Sequence, residues 1–201
     1  MSSVIQNFEN IKSLINNSNV KIIAVSKTFS YEHIKPLVDY GHNHFGENKV
    51  QEAQVKWIDV KKNFPNVKLH MIGKLQSNKA KEAVKLFDYI HSVDNPKLAS
   101  LLAKHENIFN KKLNYFIQVN IGNESQKSGI EIKALDEFFY YCTKELKLNI
   151  IGLMSIPPNN GKENFYFQNL MELNKLLGLQ ELSMGMSGDF KEALKYETTF
   201  V

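Results

Sequence analysis

Apolar residues recur at helical spacing from the start of the chain. Val4, Phe8, Ile11, Leu14 and Ile15 share one face and predict an amphipathic helix over residues 3–17. The next run, Lys21-Ile22-Ile23-Ala24-Val25-Ser26-Lys27, is continuous rather than alternating, the pattern of a strand buried on both faces of a parallel sheet. From there strand-like runs at 44–46, 68–73, 89–93, 113–120, 149–155, 181–186 and 198–201 alternate with helix-like segments at 31–40, 49–63, 77–86, 96–107, 132–146, 164–177 and 189–196. Gly41 stands where the second helix needs a left-handed cap.

Strands that alternate with helices predict an α/β chain, and eight strand candidates in this order favour a (β/α)8 TIM-type barrel with an extra N-terminal helix. The rival is an open doubly wound sheet. Its Gly-x-Gly-x-x-Gly turn is absent after the first strand, where Ser26-Lys27-Thr28-Phe29-Ser30 stands instead. The eighth strand falls at the very C-terminus, with no helix after it in this sequence, and the whole of 1–201 is expected to be one domain.

Composition narrows the function classes. Hydrophobic residues make up 43% and charged residues 23%, which is globular rather than disordered. The N-terminus lacks a basic stretch followed by an apolar one, and no apolar run reaches the roughly 18 residues of a membrane span, so a cytoplasmic protein with no membrane partner is expected. The formal charge is +4, but all 25 basic residues are lysine, interleaved with acids. Without arginine or a basic stripe, nucleic acid is not an expected partner. No apolar heptad marks an exposed helix, and a monomer is expected. Cys142, the one cysteine, reads as a core thiol. His42, His44 and Glu47 have the look of metal ligands, but their spacing straddles a turn and a strand, so no metal is expected.

In a parallel barrel, chemistry collects at the carboxyl ends of the strands. There the sequence turns polar: Lys27, Glu47, Asn48, Gln76, Ser77, Asn78, Ser92, Asp94, Asn120, Ser155 and Ser187. Lys27 follows an apolar run, so its amine would emerge beside apolar walls. Desolvation there would free it to attack a carbonyl, although a lysine at a strand end can equally snorkel to water. After the seventh strand, Met184-Gly185-Met186-Ser187-Gly188-Asp189 combines glycines, a hydroxyl and a helix start, a pattern suited to phosphate. Asp189 could instead cap its own helix. A lysine and a phosphate site together suit either pyridoxal 5′-phosphate (PLP) or a phosphosugar.

Several motifs occur in order: Ala24-Val25-Ser26-Lys27-Thr28, Phe45-Gly46-Glu47-Asn48, His70-Met71-Ile72-Gly73, Leu75-Gln76-Ser77-Asn78-Lys79, His91-Ser92-Val93-Asp94, Lys127-Ser128-Gly129, Gly152-Leu153-Met154-Ser155 and Leu182-Ser183-Met184-Gly185-Met186-Ser187. With them the chain resembles the PLP homeostasis proteins, single-domain barrels similar to the N-terminal domain of alanine racemase. The resemblance implies that Lys27 carries PLP as a Schiff base, that Asn48 and the segment around His70 line the ring, and that Ser187 and Gly188 hold the phosphate. It further implies a role in vitamin B6 homeostasis without catalytic turnover, with apo-PLP enzymes as recipients, and Lys127 as a second capturing amine. A PLP-dependent racemase is the alternative. The sequence departs from the family at Phe29 and Lys74, and it stops at Val201, before the family's Arg-Ile-Gly segment.

Overall fold

A computed structural model describes residues 2–15, 19–124 and 126–201. The predicted N-terminal helix is α1, Ser3–Ser13, whose first turn is capped by the Ser2 hydroxyl accepting from the Ile5 N–H; residues 16 and 17 of that prediction lie outside the described residues. There follow β1 Ala24–Val25, α2 Tyr31–Asp39, β2 His44–Glu47, α3 Val50–Asn63, β3 Lys68–Met71, α4 Ala80–Leu86, β4 Tyr89–Val93, α5 Pro96–Phe109 and β5 Asn114–Gln118. The chain continues through α6 Leu135–Tyr140, β6 Ile150–Met154, α7 Glu163–Leu176, β7 Glu181–Ser183 and the short α8 Phe190–Ala193.

All seven strands are parallel and each pairs with its sequence neighbour, in the order β1 to β7. Helices cover the outer face, where Phe45, Trp57, Leu69, Ile90, Tyr115, Ile117 and Leu153 pack in the main core. The sheet curls around a second, inner cluster of Ile23, Phe116, Met154 and Phe200. Burial on both sides is why these strands read as unbroken apolar runs.

Of the eight expected strands, the described residues form seven, in a curled parallel sheet. The segment 198–201 is not a regular strand, because the N–H groups of Thr199 and Phe200 both converge on Leu182 O, each at 2.9 Å, and Glu197 just before it is left-handed (φ 57°). It nevertheless bridges both edges: Phe200 pairs with Ser183 and with Lys21, and the Ile23 N–H donates to Val201 O at 2.7 Å.

Local signals explain the boundaries. In α5, Asn95 accepts from the Leu98 N–H at 2.9 Å, Pro96 opens the helix, and left-handed Asn110 closes it. Gly41, at φ 95°, ends α2 as expected. The predicted first strand shrinks to two residues: Lys21 makes only an isolated bridge to Phe200, and at the other end the chain turns at Lys27 and Thr28, with Thr28 held at φ 66°.

Candidate functional site

Parallel pairing puts every strand's carboxyl end on one rim, which we call the mouth. Lys27 stands there, two residues beyond β1, exposed at the start of a turn that the Phe29 N–H closes on Ser26 O at 3.2 Å. The expected desolvation by apolar walls is therefore not found. Apolar side chains do surround the mouth: Val25, Phe29, Ile156 and Met186 are 43, 47, 43 and 54% exposed, and so many open apolar groups on one rim mark a binding surface. Thr28 beside the lysine is β-branched and left-handed, a strain of about 1–2 kcal/mol.

The other face of this turn is anchored by residues that sequence reading missed as a group. Fully buried Glu47 accepts through one oxygen, Oε1, from the Ser26 hydroxyl at 2.7 Å, Lys56 Nζ at 2.8 Å and the Trp57 indole N–H at 2.9 Å. Lys56 also reaches Ser26 O. The network ties the end of β1 to β2 and α3, immediately behind Lys27. The only sequence signal was an acid at a strand end followed by a Lys-Trp pair on the next helix.

Asn48 is half-buried just past β2. Pairing continues beyond the strands at this point, the Ile72 N–H donating to Glu47 O at 3.0 Å. Gly73 packs so closely that a Cβ there would lie 2.5 Å from Asn48 O. His44 and Glu47 face opposite sides of β2, so the metal-like trio with His42 does not converge; among the described residues no group of three or more His, Cys, Asp or Glu could hold a metal ion.

His70 is fully buried inside the curl rather than open to the mouth. It shares a register row with Gly46 and Val25, so it lies one inward position below Lys27. Its Nε2 is 2.9 Å from His44 Nδ1 and its Nδ1 is 2.9 Å from His91 Nε2, while His91 Nδ1 is 2.8 Å from Ser183 Oγ. Burial pushes His44 down to about 4 and His91 to about 3, with neighbouring imidazoles adding to the effect, and His70 is likewise held well below its ordinary value. These imidazoles are neutral at pH 7. The sequence signal was one inward histidine on each of three successive strands.

Ser187 and Gly188 are exposed in the loop after β7. Gly185, at φ 99°, lets that loop pack on Ala193 and Phe190. Asp189 sits at the helix start but does not cap it. Its carboxylate turns back to accept from the Met186 N–H at 2.6 Å, and Met186 O takes the N–H groups of Asp189 and Phe190. Among the described residues, the N–H groups of Ser187 and Gly188 have no hydrogen-bond acceptor, so two donors stand open at the mouth, with nothing within 4 Å of where a Gly188 Cβ would be. Lys127, in the loop after β5, is ion-paired with Glu124 at 2.5 Å, and Asn120 braces that loop through both its amide atoms. Lys27, Asn48, Ser187 and Gly188 thus share one rim, and His70 lies beneath it.

No helix among the described residues is long and apolar enough to cross a membrane. The family model for the alanine racemase N-terminal domain matches residues 1–201. The pyridoxal phosphate homeostasis protein of Vibrio cholerae is 36% identical over 220 residues, covering 100% of this chain and 93% of its own length; that of Aquifex aeolicus is 36% identical, covering 90% and 82%. Among solved structures, PipY of Synechococcus elongatus with PLP bound superposes with a TM-score of 0.88 at 31% identity, over 97% of this chain and 94% of its own. An alanine racemase from Clostridium difficile shares the fold, with a TM-score of 0.77 at 14% identity over 53% of its length. The chain belongs to the pyridoxal phosphate homeostasis protein family, built on the fold of the alanine racemase N-terminal domain.

Proposed function

We propose that this protein binds PLP covalently through Lys27 and keeps it exchangeable for apo-PLP enzymes, serving vitamin B6 homeostasis without turnover of its own. The observation that carries this is an exposed lysine on the same rim as the open N–H groups of Ser187 and Gly188. When bound, PLP supplies an aldehyde that condenses reversibly with amines, and a phosphate. The residues present fit such a group. Lys27 offers the amine; the open N–H pair suits a phosphate, and Asp189, engaged by Met186, does not oppose it. Glu47, Lys56 and Trp57 hold the Lys27 turn in place from behind. Asn48 would flank a bound ring, and His70, buried beneath the rim, would support it from below. Val25, Phe29, Ile156 and Met186 would offer a bound ring an apolar surface at the rim.

In this reading 198–201 acts as the eighth strand of one closed single-domain barrel, since it bonds to both sheet edges. Lys127 serves as a second amine that captures PLP transiently; the Glu124 ion pair keeps it near the loop after β5. The protein works as a cytosolic monomer.

The test is an absorbance spectrum with added PLP, followed by borohydride reduction and peptide mass mapping. The expected result is a visible band of lysine-bound cofactor, mapped to Lys27 and lost in Lys27→Ala. Equal labelling in Lys27→Ala would overturn the site, and no labelling of wild type would overturn the function. Unchanged transfer of PLP to an apo-enzyme in Lys127→Ala would remove that residue's role.

A further inference from the structure

The interior histidines form one continuous chain: His44 Nδ1 to His70 Nε2, His70 Nδ1 to His91 Nε2, and His91 Nδ1 to Ser183 Oγ, every link 2.8–2.9 Å. It starts at His44, half-buried at the amino end of β2, and crosses the curl to Ser183 at the carboxyl end of β7. His70 and His91 are fully buried and Ser183 is 9% exposed. Tyr89 stacks on His70 at 4.3 Å, Phe116 stacks on His91 at 4.3 Å, and Phe200 touches all three imidazoles, leaving little room for water between the links.

A chain of neutral imidazoles can carry its hydrogens in only two ways. If Ser183 donates to His91, then His91 donates through Nε2 to His70, His70 through Nε2 to His44, and the His44 Nε2–H points away from the chain. Every interior donor is then satisfied. In the opposite sense His91 donates through Nδ1 to Ser183, whose own hydroxyl hydrogen has no other partner among the described residues. A buried donor without an acceptor is the costlier state, so the first direction is the resting one.

We propose that His44, His70, His91 and Ser183 form a single proton relay through the sheet interior, resting with its N–H groups turned toward the amino-end rim. A proton that bonds to Ser183 Oγ displaces the hydroxyl hydrogen onto His91 Nδ1. The His91 Nε2 hydrogen passes to His70 Nδ1, the His70 Nε2 hydrogen to His44 Nδ1, and the His44 Nε2 hydrogen to water. One proton enters, one leaves, and no net charge remains. Passage in the reverse sense restores the starting direction. The charged groups that act on the relay sit at its amino end: Lys21, Lys68 and His42 oppose a cation at His44, and Asp88 favours one. The phenol of Tyr89, whose ring stacks on His70, itself faces Asp88 and Glu181. Burial disfavours charge on His70 and His91 themselves, so no charge rests in the dry middle of the chain.

The experiment is long-range proton–nitrogen NMR of the full chain labelled with 15N-histidine, at neutral pH, in wild type, Ser183→Ala and Ser183→Thr. The expected result is a protonated Nε2 on His44, His70 and His91. Ser183→Ala removes the donor that sets the direction, so the nitrogen shifts of His44, three links away, should move toward a mixed population. Ser183→Thr keeps a hydroxyl and should restore the wild-type pattern. A protonated Nδ1 on His91 in wild type, or His44 shifts unmoved by Ser183→Ala, would overturn the relay. The wild-type spectrum alone decides the direction should the alanine variant not fold.

Discussion

The Trp57 indole N–H donates to Glu47 Oε1 over 2.9 Å, on an oxygen that also takes Ser26 and Lys56. A helix, two strand ends and the turn that carries Lys27 meet at one atom. The pair of Lys56 with Glu47 is almost wholly buried, at 9% and 0% exposure, so removal of one partner strands the other in a dry site.

Glu47→Ala should accordingly lower stability by about 3–5 kcal/mol. Urea unfolding followed by fluorescence reads this directly, because Trp57 is the chain's one tryptophan. A loss under about 1 kcal/mol, the scale of a surface ion pair, would mean the cluster holds nothing in place.

Acid should weaken the fold through the interior histidines. Burial lowers His44 to about 4 and His91 to about 3, while unfolding returns both to about 6.5. Below that pH the unfolded chain binds more protons than the folded one, so the full stability is present above about pH 6.5 and drains as the pH falls toward the folded values. The slope for fully buried His91 approaches 1.4 kcal/mol per pH unit. Urea midpoints from about pH 7.5 down to 5, above the ordinary carboxylate range, should fall in wild type and fall less in His91→Gln; a flat wild-type profile would contradict the buried, neutral assignment.

Gly152 is a point of backbone contact. A Cβ there would lie 1.9 Å from Glu181 O and 2.8 Å from the Phe116 ring, so Gly152→Ala must separate β6 from β7. The expected loss is about 3 kcal/mol or failure to fold. Gly161, at φ 77° with nothing within 4 Å, is the control: Gly161→Ala bears only the left-handed penalty of about 1–2 kcal/mol. Thermal midpoints of the two variants should rank in that order.

Cys142 is fully buried, and burial pushes its thiol up to about 12. Thiol reagents at mildly alkaline pH should leave the folded protein unmodified and label it at once in denaturant. Rapid labelling of the native state would place this residue at the surface.

The elements were legible where local geometry governs them. β4 occupies Tyr89–Val93, as the apolar run predicts, and α2 stops before Gly41. The helix predicted over 132–146 was less so. It divides into a 3-10 turn, α6 and a π-turn over Tyr141–Glu145, because its hydrogen-bond register depends on packing that periodicity does not encode. The first strand was read too long, since its apolar run carries no mark of where pairing with β2 ends.

By itself the sequence determined the alternation of strands and helices, the polar strand ends and the positions of Lys27, Asn48, Ser187 and Gly188 on one rim, because these follow from backbone periodicity and the parallel order of neighbouring strands. Only the tertiary structure decided that Lys27 stands exposed, that Asp189 turns to Met186, that residues 198–201 bridge both edges without forming a strand, and that His91 meets Ser183 across 92 positions of chain. Those outcomes depend on how the sheet curls. Curvature sums small twists over every strand pair, so which distant side chains finally touch is a property of the whole sheet and of no single segment.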